Sequence, residues 1–308
     1  MLSTTKQNLL YILLISIACI YYGCNTKYQQ PDLHKVTFKP VWGIHFIEVK
    51  RRHSTGRSVD KYGYVVEPTW KMTFLSDDSA SVYSPQKNGF ATFKITNDHD
   101  SIFFVARTWL RAKKLTKDSA VFQVMDVGTN VIYLVRSTVY MTFYADDYIK
   151  NVLKTTPANL QKPDRQDTLF VKKMSAQANT HIDSVFAARE PVVLKSKSPY
   201  VTVEKVKVIG DEQNRYSTTD AYMYPEYNIK IKHAYTDFYY SFTIKVDDKG
   251  QMHFDKSLMP DIEKSYPQTM KAIMDGYLRA YLDITPGNTF GITHTSRITV
   301  NVYGSKKG

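Results

Sequence analysis

Between residues 36 and 150 the apolar positions recur every second residue, in short bursts. Trp70, Met72 and Phe74 alternate with Lys71 and Thr73. Ala91, Phe93 and Ile95 alternate with Thr92 and Lys94, and Val139, Met141 and Phe143 alternate with Tyr140, Thr142 and Tyr144. Successive side chains of a strand point to opposite faces, so a period of two marks a half-buried strand. Clusters of turn formers separate the bursts: "SDDS", "SPQKNG", "TNDHDS", "LTKDS" and "DVGTN". Short strands at this regular spacing, with almost no helical period, predict an antiparallel barrel or sandwich.

The pattern then changes. Residues 151–199 read as a connector: "TTPANLQKPDRQD" as loop, "TLFVKKM" as a short strand, and "SAQANTHIDSVFAARE" as a helix stopped by Pro191. From residue 200 the strands return. Phe238, Tyr240, Phe242, Ile244 and Val246 alternate with Tyr239, Ser241, Thr243 and Lys245, and "DDKG" supplies a hairpin turn with Gly250 at a position of positive φ. Pro267 opens a helix whose Met270, Ile273, Met274, Tyr277, Leu278 and Tyr281 share one face. Pro286-Gly287 ends it. Ile298, Val300 and Val302 form a last strand against Arg297, Thr299, Asn301 and Tyr303. The expected fold is mainly β with a smaller α+β domain. An N-terminal antiparallel barrel or sandwich spans 36–150, and a C-terminal sheet packed on one amphipathic helix spans 200–308.

The front of the chain is different again. Lys6 precedes an apolar run from Leu9 to Tyr22, shorter than the roughly 20 residues a membrane-crossing helix needs. The run ends in Gly23-Cys24 and then polar "NTKYQQPD". This arrangement resembles the lipobox of bacterial lipoproteins. The resemblance implies a signal peptide over 1–23, cleavage before Cys24, acylation of Cys24, and a lipid-anchored tether over 24–35. It also implies a bacterial cell envelope address, at an outer membrane facing the periplasm or the surface. Cys19 is a second candidate for the same chemistry. The alternatives are a short uncleaved anchor, or secretion with a free Cys24 thiol. Cys19 and Cys24 are the two cysteines of the chain. Acylated Cys24 would therefore leave the mature protein without a thiol for disulfide, nucleophile or metal.

Two further stretches carry resemblances. "EPTWKMTFLSDDSASVY" followed by "WLRAKKLTKDSAVFQV" resembles the lipocalin-like domains of bacterial lipoproteins. That likeness implies an eight-stranded barrel, either hollow enough for one small apolar ligand or filled by its own side chains. "FTIKVDDKGQM", the helix, "ITPGNTFG" and "ITVNVYG" together resemble the C-terminal domain of TonB-type proteins. That likeness implies a sheet edge able to accept an extended partner strand.

Composition sets the class of partner. The 308 residues carry a net charge of +12, with 43% hydrophobic and 13% aromatic residues, as expected of a folded protein that favours anionic surroundings. Lys50-Arg51-Arg52 is the densest basic cluster, with His53 and Arg57 behind it. Nucleic acid is not an expected partner of an exported chain. The expected partners are the membrane through the lipid anchor, and an envelope protein, peptidoglycan or lipid. No zincin, serine-elbow, P-loop or dinucleotide motif is present, the eight histidines are scattered, and no cofactor is expected. Ser84-Pro85-Gln86-Lys87 has S-x-x-K spacing but sits in a turn. Tyrosine is the one local excess: Tyr222, Tyr224, Tyr227, Tyr235 and Tyr239 crowd one segment, together with Tyr216 and Tyr240. A tyrosine offers an apolar plate with a polar tip, suited to sugar or peptide contact, or equally to a half-covered sheet. The reading is a non-catalytic binding or assembly protein. A carrier of a small apolar ligand is the alternative, and an envelope hydrolase a third class.

Overall fold

Strand β1 (His45–His53) is the hub of the first half of the molecule. It pairs on one side with β2 (Lys71–Phe74) and on the other with β11 (Val139–Ala145), both antiparallel. The chain is described here from a computed structural model over residues 35–85, 87–128, 131–133, 139–207, 220–260 and 265–307. The signal-peptide and lipidation expectations at 1–24, nearly all of the tether, and Tyr216 lie outside those residues. From β2 the chain meanders through β3 (Ser79–Ser84), β4 (Gly89–Lys94), β5 (Thr96–Asn97), β6 (Ile102–Val105), β7 (Thr108–Leu115) and β8 (Ser119–Val124). A separate hairpin, β9 (Asp126–Gly128) with β10 (Val131–Tyr133), precedes β11.

The nine-stranded order is β4-β3-β2-β1-β11-β8-β7-β6-β5. Its two ends, β4 and β5, are consecutive in the chain, and the Ile95 between them donates its N–H to Asp78 O at 2.8 Å. The sheet therefore nearly closes on itself as an antiparallel barrel, which leaves little exposed edge. Phe46, Phe74, Phe103, Phe122 and Phe143 are fully buried inside it with Met72, Leu110 and Met141. Their rings meet edge to face, with Phe103 5.4 Å from Phe122 and Phe122 5.5 Å from Phe143. One end of the barrel is closed by the turn before β1: Phe38 stacks on Phe74 at 4.0 Å, and its N–H is held by Asp77 at 2.6 Å. The interior is filled by the protein's own side chains.

The C-terminal unit is a five-stranded sheet in the order β13-β14-β20-β15-β16. Its strands are β13 (Val201–Lys205), β14 (Glu226–Lys232), β15 (Phe238–Val246), β16 (Met252–Ser257) and β20 (Ser296–Ser305). β20 lies parallel to β14 and antiparallel to β15. The expected hairpin joins β15 to β16, with Gly250 at φ +80°. The expected helix runs over residues 266–281, with a π-helical turn at Met274–Leu278. Met270, Ile273, Met274 and Leu278 pack on Ile229, Phe242, Ile244 and Val300. β12 (Val193–Ser196) and β17 (Leu282–Thr285) pair beside this sheet, and a small hairpin of β18 (Asn288–Thr289) and β19 (Ile292–Thr293) precedes β20.

The connector departs from expectation. "TLFVKKM" is not a strand but the middle of helix α1 (Arg165–Thr180), and "HIDSVFAARE" lies beyond that helix rather than in it. Part of the expected loop, Pro157–Leu160, is also helical. Asp164 and Asp167 explain the start: the Asp164 carboxylate accepts the Asp167 N–H, and the Asp167 carboxylate accepts the Asp164 N–H, a reciprocal capping box. The buried stripe is Asp167, Val171, Ser175 and Ala178, a helical spacing interrupted by polar residues. A polar residue buried by its partners is invisible to hydrophobic periodicity.

Candidate functional site

The basic cluster of β1 is positioned by a bulge. Glu48 pairs with Phe143 and Lys50 with Thr142, so Val49 is an extra residue in β1. Residues directly opposite in an antiparallel ladder share a face. Glu48 lies opposite Phe143 and Arg51 opposite Met141, both core residues, so this pair closes the second end of the barrel. Arg51 donates from Nε and Nη2 to the Glu48 carboxylate, both at 2.7 Å. The N–H groups of Thr69 and Trp70 reach the same carboxylate at 2.9 and 3.0 Å. Glu48 is fully buried. Burial pushes its carboxyl above the usual range, against the downward pull of Arg51 and these hydrogen bonds.

The long excursion between β1 and β2 folds over this pair. Arg52 Nη1 donates to the Asp167 carboxylate at 3.0 Å and to Gly56 O at 3.0 Å, and Nη2 pairs with Asp164 at 3.0 Å. Ser58 N–H adds a 2.7 Å bond to Asp167, which is fully buried. The end of the connector and the C-terminal unit then dock against the excursion. Gly63 stands at φ +88°, so close to Ala187 that a Cβ there would lie 2.2 Å from its carbonyl oxygen. Arg189 forms a fork with Glu67 at 2.7 and 2.8 Å. Val59, Val65 and Val171 bury themselves with Phe170, Phe290 and Ile292.

Between these contacts a cleft of about 310 Å³ remains. β1 and the excursion give Lys50, Arg51, Val66 and Pro68 to it, the connector gives Lys162 and Glu190, and the C-terminal unit gives Phe290. Residues from three stretches of chain therefore meet at the mouth of a filled barrel. Sequence reasoning missed the acidic half of this site, Glu48, Glu67, Asp167 and Glu190. The density of Lys50-Arg51-Arg52 is the signal from which the site could have been found.

The five tyrosines do not converge. Tyr222 and Tyr227 are buried: the Tyr222 hydroxyl accepts the Val65 N–H at 2.8 Å, and the Tyr227 hydroxyl donates to Val192 O. Burial pushes both phenols up to about 12. Tyr224, Tyr235 and Tyr239 are 76%, 63% and 44% exposed. Tyr235 lies near Phe238 and Tyr277, with ring centroids 6.0 and 6.4 Å away. Tyr239 lies 4.8 Å from Tyr303 on the sheet face that alternates with the core. The Tyr222 ring is also covered by the Arg189 guanidinium at 4.9 Å, which ties this one member of the cluster to the domain junction.

Among the described residues no group of three or more His, Cys, Asp or Glu side chains could hold a metal ion, and no helix is long and apolar enough to cross a membrane. No family model matches the chain, and no curated protein matches it.

Proposed function

We propose that the protein is a non-catalytic binding module, tethered to a bacterial cell envelope by lipid at Cys24, which receives its ligand in the cleft between the barrel and the C-terminal unit. The observation that carries this reading is the contrast between the two interiors. The barrel is packed with its own phenylalanines, whereas a cleft of about 310 Å³ stands at the junction. A carrier holding its guest inside the barrel would have to displace those rings. The chemistry of the cleft supports holding over transforming. The buried carboxylates of Glu48 and Asp167 each accept four hydrogen bonds from this chain, which leaves neither available to a guest. The envelope address rests on residues 13–27, "LLISIACIYYGCNTK".

Intact mass and membrane fractionation of the wild type, Cys24→Ala and Cys19→Ala test the anchor. The expected result is a mass lacking residues 1–23 and carrying acyl chains, lost in Cys24→Ala alone. A wild type that is soluble and unmodified overturns the lipoprotein reading.

A further inference from the structure

We infer that the cleft takes a small organic anion, its carboxylate or phosphate group against Lys50 and Lys162, and its apolar body against Val66, Pro68 and Phe290. This rests on the cleft being the binding site, and it follows from how the charges around it are used. Arg52 and Arg189 are committed to Asp164, Asp167 and Glu67. Arg51 is held by Glu48 through Nε and Nη2 on the barrel side of β1.

Lys50 and Lys162 stand on the same wall, and among the described residues neither is in an ion pair. Lys50 is close enough to act on Asp164, which is itself bonded to Arg52 and to the Asp167 N–H, and Lys162 donates to Asn159 Oδ1 at 2.9 Å. Of the acids beside the lysines, Asp167 is buried and saturated and Glu67 is held in the fork with Arg189, so the unpaired charge there is that of Lys50 and Lys162. The opposite wall carries Glu190, which holds Asn288 at 2.8 Å and would turn an anionic head toward the lysines. The volume is at the low end for small-molecule sites, enough for a single ring with its charged group.

The test is a titration calorimetry series at low salt on the full chain, with phenyl phosphate, benzoate, inorganic phosphate and the neutral benzyl alcohol. Phenyl phosphate or benzoate should bind at least ~10-fold tighter than benzyl alcohol, as one or two charge-assisted hydrogen bonds imply. Whichever of the two binds tighter identifies the head group. Inorganic phosphate should bind more weakly than phenyl phosphate, and equal affinity would remove the apolar half of the inference. The double variant Lys50→Gln/Lys162→Gln changes two exposed side chains, so its melting temperature should not move. It should lose ~10-fold or more of the anion affinity and leave benzyl alcohol unchanged. An unaltered anion affinity overturns the inference. Glu190→Trp, which fills the cleft, separates this failure from that of the underlying reading. If it abolishes binding while the double variant does not, the cleft stands and the anion falls. If it binds the anions as the wild type does, the cleft is not the site.

Discussion

His294 shows how much one side chain's meaning depends on its surroundings. It is one of eight histidines with no sequence pattern, and it is completely buried. Its ring stacks on Phe186 at 3.7 Å. Nδ1 lies 3.1 Å from Thr295 O, which can only accept, so Nδ1 carries the proton. Nε2 then accepts the Thr289 hydroxyl at 3.1 Å, and Thr289 Oγ1 accepts the Arg189 N–H. Burial pushes the imidazole down to about 4, partly opposed by the bond to Thr295. The folded-state value is below the unfolded value of 6.5, so the unfolded chain takes up the proton first. The stabilisation is complete above pH 6.5 and is lost as pH falls toward 4, by on the order of 3 kcal/mol. Glu48, whose carboxyl is raised, works in the opposite direction, so the imidazole must be isolated by difference. The gap in unfolding free energy between wild type and His294→Phe, from urea titrations, should narrow by that amount between pH 7.5 and 4.5. A gap that stays constant would show that His294 does not titrate in the unfolded chain alone.

At the scale of the element, helix α1 is the part of the chain where hydrophobic periodicity misled. "TLFVKKM" has the β-branched and aromatic content of a short strand, and short apolar runs do not distinguish strand from helix. What decides the matter is Asp164, which caps the helix through the Asp167 N–H and at the same time reaches Arg52 of β1. Asp164→Ala should lower stability by about 0.5–2 kcal/mol in chemical denaturation, the usual range for losing such a cap. Asp164→Asn keeps an acceptor for the cap and should recover most of that loss. Equal losses in both variants would place the effect in the charge of the Arg52 pair. By contrast, the β15–β16 hairpin and the final helix were legible directly, because turn glycine, period-two alternation and a helical apolar face are all local properties.

At the scale of the whole molecule, the barrel and the C-terminal sheet are joined by contacts of both kinds. Val171 of α1 is fully buried with Val59 and Val65 of the excursion, and Phe290 and Ile292 of the C-terminal unit pack against them. The Arg189–Glu67 fork and the Tyr222–Val65 bond lie beside this cluster. Wild type should therefore melt in one calorimetric transition. Val171→Asp puts an unpaired carboxylate at the centre of the cluster, at a cost of several kcal/mol. The expected thermogram splits, with one unit melting well before the other. A single transition at the wild-type temperature would mean that the two units are not coupled through this contact.

The elements whose cause is local could be read from the order of residues alone. Alternation placed the strands, Gly250 turned a hairpin, and the stripe from Met270 to Leu278 set the helix against a sheet, because each follows from where neighbouring side chains must point. The choice between sandwich and barrel is made in the assembled fold, since closure depends on β1 meeting β11 and on β4 running into β5. The same fold decides that β14 lies parallel to β20, that Arg52 meets Asp167 and that Glu67 meets Arg189. These partners are 73 to 122 residues apart, and no local spacing encodes such meetings. The cleft, made where three distant stretches of chain converge, belongs entirely to that second class.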